Sequence, residues 1–154
     1  VSHSLPVDRS RKFKRADYPA TPKAYEPLDH FVQRYHESER YLDRELDGVK
    51  SVRRTITRGD LRDNGDGCGC FVLDWHGVYY YLVVGFHLKG YRVVVSGWPM
   101  VRDEQRALDS ARWQQNELDE IDQFNNEHFH DSWSSEWEDY VEWSKQNPNG
   151  GTVL

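Results

Sequence analysis

His87, Arg92 and Tyr81 lie within one short stretch of the chain, residues 69–98, GCFVLDWHGVYYYLVVGFHLKGYRVVVSGW. They are the side-chain types that metal-independent RNA cleavage needs. Such a reaction takes a base or hydroxyl-orienting group, a cation for charge developing on the phosphorane, and an acid for the leaving oxygen. Trp98 and Tyr79 add rings on which bases can stack, and Ser96 adds a hydroxyl beside them. Residue type alone does not make a site. The three must meet, so the question passes to the elements that carry them.

The stretch reads as three β-strands. Val, Phe, Tyr and Trp dominate it, and His76-Gly77 and Lys89-Gly90 mark two tight hairpin turns. Two-residue turns fix the register: Trp75 faces Val78, Leu73 faces Tyr80 and Phe71 faces Leu82. In the second hairpin Leu88 faces Tyr91, Phe86 faces Val93 and Val84 faces Val95. Alternation places all of these on one apolar face. The other face carries Tyr79, Tyr81, His87, Arg92, Ser96 and Trp98, with His87 directly opposed to Arg92 and Tyr81 to Trp98. That face is either a recognition surface or is covered by another segment, for which the Trp-rich C-terminal stretch is the candidate.

Around this stretch the chain divides by composition. Residues 1–27 contain four prolines and no sustained periodicity, and read as a basic extended arm. Its cations Arg9, Arg11, Lys12, Lys14 and Arg15 suit a phosphate backbone. Residues 28–100 read as an α+β core. Leu28, Phe31, Val32, Tyr35 and Leu42 form the buried stripe of a first helix, with His30 and Arg34 off that stripe and able to face one phosphate. A second helix starts near Asp43 and stops at Gly59, and the run Asp63-Asn64-Gly65-Asp66-Gly67 is a loop into the first strand. The expected fold is two N-terminal helices packed on a three- to four-stranded antiparallel β-meander, followed by acidic C-terminal helices.

Residues 101–146 form that acidic, Trp-rich helical extension, with Asp103 and Asn116 as N-caps. Thirteen Asp/Glu stand against Arg106 and Arg112 between residues 103 and 143, and Trp133, Trp137, Tyr140 and Val141 share a helical face. Such a surface suits docking on the domain or on a protein partner. Residues 147–154 read as a flexible tail.

Net charge is −6 over 154 residues, and mean hydropathy is −0.90. No apolar run approaches the ~20 residues of a membrane span and no signal-peptide core is present, so a cytoplasmic protein is expected. Cys68 and Cys70 read as reduced structural thiols. The chain has no Walker loop, dinucleotide fingerprint, HExxH motif or nucleophile elbow, and no cofactor is implied. His128-Phe129-His130-Asp131 has metal-ligand types without a third ligand elsewhere, so no metal site is read.

The order of these features resembles the RelE-like group of small α+β domains, ribonuclease toxins and their relatives. The resemblance runs from about His30 to Trp98. It is carried by HFVQRYHESERYLD, by SVRRTITRGDLRDN, and by the hairpin YYYLVVGFHLKGYRVVVSGWP. The chain looks most like an uncharacterised branch of that group found in halophilic archaea, whose members share a helical His and Arg and a strand ending VVVxxW. The resemblance implies RNA as partner, at the ribosome. It puts Arg92 and Tyr81 at the positions of the toxins' sheet residues, and His30 and Arg34 at the helical pair. It leaves open whether the protein cuts RNA, as a metal-independent endoribonuclease, or only occupies a site. The alternative is a non-catalytic interaction or structural subunit of a larger assembly.

Overall fold

The computed structural model describes residues 5–29, 31 and 49–128. Its centre is a five-stranded mixed sheet in the order β1-β5-β4-β3-β2. The strands are β1 (Glu26–Pro27), β2 (Asp60–Asp63), β3 (Gly69–Trp75), β4 (Val78–Phe86) and β5 (Arg92–Val101). The helices are α1 (Val49–Arg58), α2 (Glu104–Asp109) and α3 (Gln115–His128). The α+β class and the antiparallel meander from β2 to β5 are as expected.

The β3–β4 hairpin has the expected register, with Trp75 opposite Val78, Leu73 opposite Tyr80 and Phe71 opposite Leu82. His76 and Gly77 both have positive φ, 54° and 91°, the conformation that a two-residue hairpin turn demands. The second hairpin departs from expectation. His87 N–H donates to Tyr91 O at 2.7 Å and Gly90 N–H to His87 O at 2.7 Å, so Leu88, Lys89 and Gly90 form a three-residue loop. The register is therefore one residue off near the loop: Phe86 faces Arg92, Gly85 faces Val93 and Val84 faces Val94. An irregularity beyond Val84 gives β5 one extra residue, Val95, and restores the expected pairing of Val83 with Ser96 and Tyr81 with Trp98. Leu88 and Tyr91, expected on the apolar face, stand 69% and 40% exposed.

Three further corrections concern what surrounds the meander. The arm is not a free extended segment. Val7 bridges to His87, Tyr18 and Tyr25 are buried, and Glu26–Pro27 pairs in parallel with Val93 and Val94 of β5. Pro27 is tolerated because β1 is an edge strand. Second, Asp60–Asp63 is a strand; its exposed terminal carboxylates keep a short edge from pairing further. Third, the face that carries Tyr81 is covered by α3 and does not stand open as a recognition surface. Ile56 of α1 packs with Phe71, Leu82, Val84, Phe86 and Val94 and with Tyr18, Tyr25 and Phe31. On the opposite face Leu118, Ile121 and Phe124 of α3, each 0% exposed, pack with Cys70, Val72, Tyr81 and Val83.

α1 ends as its sequence dictates: Gly59 N–H closes on Thr55 O at 2.9 Å. Asp103 caps α2, accepting from Arg106 N–H at 3.1 Å. α3 starts one residue before the expected cap, with Glu117 reaching back to accept from Gln114 N–H at 2.8 Å, one half of a capping box. The first expected helix beyond residue 31, and the aromatic face at residues 131–145, lie outside the described residues.

Candidate nucleic-acid interface

His87, Arg92 and Tyr81 do not converge. Tyr81 points to the face under α3, is 1% exposed, and its hydroxyl lies 2.6 Å from Arg102 Nη1. Arg92, through its pairing with Phe86, projects from the opposite face, where its Nε donates to Asp17 O of the arm at 2.5 Å. His87 sits at the hairpin end. Its Nδ1 accepts from Lys89 N–H at 3.0 Å and its ring stacks on Tyr91 at 4.5 Å. The three-residue loop is the cause, since it moves Arg92 to the other side of the sheet. The pairing of Tyr81 with Trp98 is as expected in the backbone, but the Trp98 side chain lies outside the described residues, as do His30 and Arg34.

The arm cations divide into two groups. Arg9 pairs with Asp66 at 3.3 Å. Arg11 lies 3.6 Å over the Phe86 ring and 3.7 Å from Asp17, and Arg15 donates to Leu61 O at 3.0 Å. These three fasten the arm to the domain. Gly67 receives it: φ there is 84°, and a Cβ would stand 2.8 Å from both Arg9 O and Arg11 O. Tyr18 completes the attachment, stacking on Phe13 at 5.6 Å, meeting Phe86 at 5.5 Å and donating to Gly67 O at 3.3 Å. Burial pushes the Tyr18 phenol well above its ordinary pKa, with the Cys68 thiol adding to the shift, and burial does the same for Tyr25. Lys12 and Lys14 are the second group, exposed and without an ion pair.

α1 continues this exposed charge. Within its ten residues it carries Lys50, Arg53, Arg54 and Arg58 and no acid. Together the arm (5–29) and α1 hold ten Lys/Arg against Asp8, Asp17, Glu26 and Asp29, a net +6. Residues 102–128, which cover the other face, hold eight Asp/Glu against Arg102, Arg106 and Arg112, a net −5. Some of that second set is matched, once within itself and once to a carboxylate of β3. Arg106 bonds Asp74 at 2.5 Å and Asp103 at 3.4 Å, and the bond to Asp74 raises its pKa. Among the described residues the arm and α1 hold six exposed cations whose side chains make no ion pair or hydrogen bond, Lys12, Lys14, Lys23, Lys50, Arg53 and Arg58, and one more, Lys89, stands at the tip of the β4–β5 hairpin. Such a layer attracts a polyanion, and its acidic counterpart repels one.

Two arginines, Arg54 and Arg62, stand apart from the exposed cations. Arg54 lays its guanidinium 3.7 Å over the Trp75 ring, with Arg112 over the same ring at 5.2 Å. Arg62 of β2 is 5% exposed, and its Nε has no hydrogen-bond partner. In the sequence both belong to one group, Arg53, Arg54, Arg58 and Arg62, which reads as a nucleic-acid patch or, with Asp60 and Asp63 among them, as a solvated face; the burial of Arg62 takes it out of either. Among the described residues no three His, Cys, Asp or Glu side chains group as metal ligands, and no helix is long and apolar enough to cross a membrane. His128 and His130 lie outside the described side chains.

Comparison with protein-family models, with curated proteins and with solved structures finds no match.

Proposed function

We propose that this is an RNA-binding protein that holds the sugar–phosphate backbone on the layer formed by its arm and α1, with ribosomal RNA as the partner class. The observation that carries the reading is the segregation of charge across the sheet: six exposed, unpaired cations on one side and a net −5 on the other. The resemblance to RelE-like domains favours RNA over other polyanions. Endoribonuclease chemistry by His87, Arg92 and Tyr81 is not part of the proposal, since Arg92 and Tyr81 project from opposite faces. The test is binding of a single-stranded RNA oligonucleotide, followed by fluorescence anisotropy from low to moderate salt. If all six cations meet phosphates, log K falls against log salt with a slope of about −4. Binding insensitive to salt, or absent at low salt, overturns the reading.

The acidic layer supports a second reading, a docking surface for a basic protein partner on α2 and α3. Pull-down with residues 102–128 neutralised at Glu104, Asp119 and Asp122 separates the two: loss of a protein partner with RNA binding retained favours a subunit role.

A further inference from the structure

Trp75 and Arg54 each hold a polar nitrogen that the protein leaves unsatisfied. Arg54 Nη1 and Trp75 Nε1 are both shielded from water and neither has a hydrogen-bond partner. They are neighbours, because the guanidinium lies 3.7 Å over the indole ring. With the guanidinium carbon 3.7 Å from the ring centroid, the two unsatisfied donors belong to one contacting pair of side chains. Buried donors without an acceptor are rare and costly. Both residues are only partly buried, which puts the pair just beneath the surface. Nearby, Trp113 Nε1–H donates to Trp75 O at 3.1 Å and fixes the backbone that carries the ring.

We propose that Arg54 and Trp75 form an oxyanion clasp for one RNA phosphate, Nη1–H and Nε1–H each donating to a different phosphate oxygen. The charge fits: a guanidinium with no carboxylate partner, on a helix without an acid, calls for an anion. The position fits as well. Lys50, Arg54 and Arg58 follow one another at i, i+4 along α1, about 6 Å apart along the axis, so a strand gripped at the clasp runs past a cation on either side. The clasp rests on the RNA reading above and gives it a defined contact point.

The indole N–H of Trp75 reports occupancy directly. In a ¹⁵N-labelled protein its cross-peak is the one missing from Trp75→Phe, a change that keeps a ring under Arg54 and removes the donor. Titration with inorganic phosphate, and separately with a short RNA oligonucleotide, shifts this peak saturably, and Arg54→Met abolishes the shift. RNA affinity falls about tenfold in Trp75→Phe with the thermal midpoint held. A Trp75 peak unmoved by RNA, in a protein that still binds RNA with a steep salt dependence, overturns the clasp and leaves the RNA reading standing. A peak that moves with phosphate in a protein that binds no RNA overturns the assignment to RNA.

Discussion

Replacing Tyr18 by Ala tests whether the arm belongs to the cooperative fold. Tyr18 is 4% exposed, lies between Phe13 and Phe86 at 5.6 and 5.5 Å, and bonds Gly67 O. Removing a buried aromatic side chain costs about 3–5 kcal/mol. The hydroxyl contact, long at 3.3 Å, adds little beyond this, so about 3–4 kcal/mol is expected. Against a domain stability of about 5–15 kcal/mol this is a large fraction. With a urea m-value of about 1.5–2 kcal/mol/M, the midpoint falls by about 2 M. Tyr18→Phe keeps the ring and loses only the bond, so it costs about 1 kcal/mol or less. Equilibrium urea unfolding followed by tryptophan fluorescence reads both variants. A Tyr18→Ala midpoint within about 0.3 M of wild type would refute the reasoning, because the arm would then be lying on the domain without contributing to its stability.

Three more outcomes follow from the same packing. Gly67→Ala forces a Cβ against Arg9 O and Arg11 O at positive φ; it loosens the arm, costs about 2 kcal/mol or more, and shows as faster amide exchange in residues 9–18. Arg62→Met replaces a 5% exposed, unpaired guanidinium by an apolar chain of similar reach and raises stability by about 1–3 kcal/mol; a destabilised variant would show that the charge is compensated. The raised pKa values of Tyr18 and Tyr25 stabilise the fold fully below the unfolded-state value near 10, and that stabilisation is lost as pH rises through the folded values. Alkaline titration at the phenolate absorbance therefore finds these two phenols ionising late and together with unfolding, and Tyr18→Phe and Tyr25→Phe each remove one of them.

The parts of the fold legible in the sequence are those set by local chemistry. His76-Gly77 admits one short turn, so the β3–β4 register could be read from residue types alone. Asp103 and the Leu118, Ile121, Phe124 stripe likewise announced α2 and α3. The second hairpin was not legible, because Gly90 serves a two-residue turn and a three-residue loop equally well, both needing positive φ there. That single residue decided the site. It sends Arg92 to the face opposite Tyr81, and the extra residue Val95 then restores the Tyr81–Trp98 pair. The arm and β1 were illegible for another reason: a two-residue parallel pairing and an aromatic anchor at Tyr18 are set by tertiary contacts, and prolines with cations look the same in a free segment. What composition did convey was the opposition of basic and acidic segments, which the sheet converts into opposed layers.

That opposition is tested most directly by neutralising each layer separately. Lys12→Gln, Lys14→Gln, Arg53→Gln and Arg58→Gln form one variant; Glu104→Gln, Asp109→Asn, Asp119→Asn and Asp122→Asn form the other. Measured against the same RNA oligonucleotide over a salt series, the first loses most of its affinity, and its salt slope falls by about 3. The second binds as tightly as the wild type or more so. Equal losses in both variants, or an unchanged slope in the first, would contradict the account.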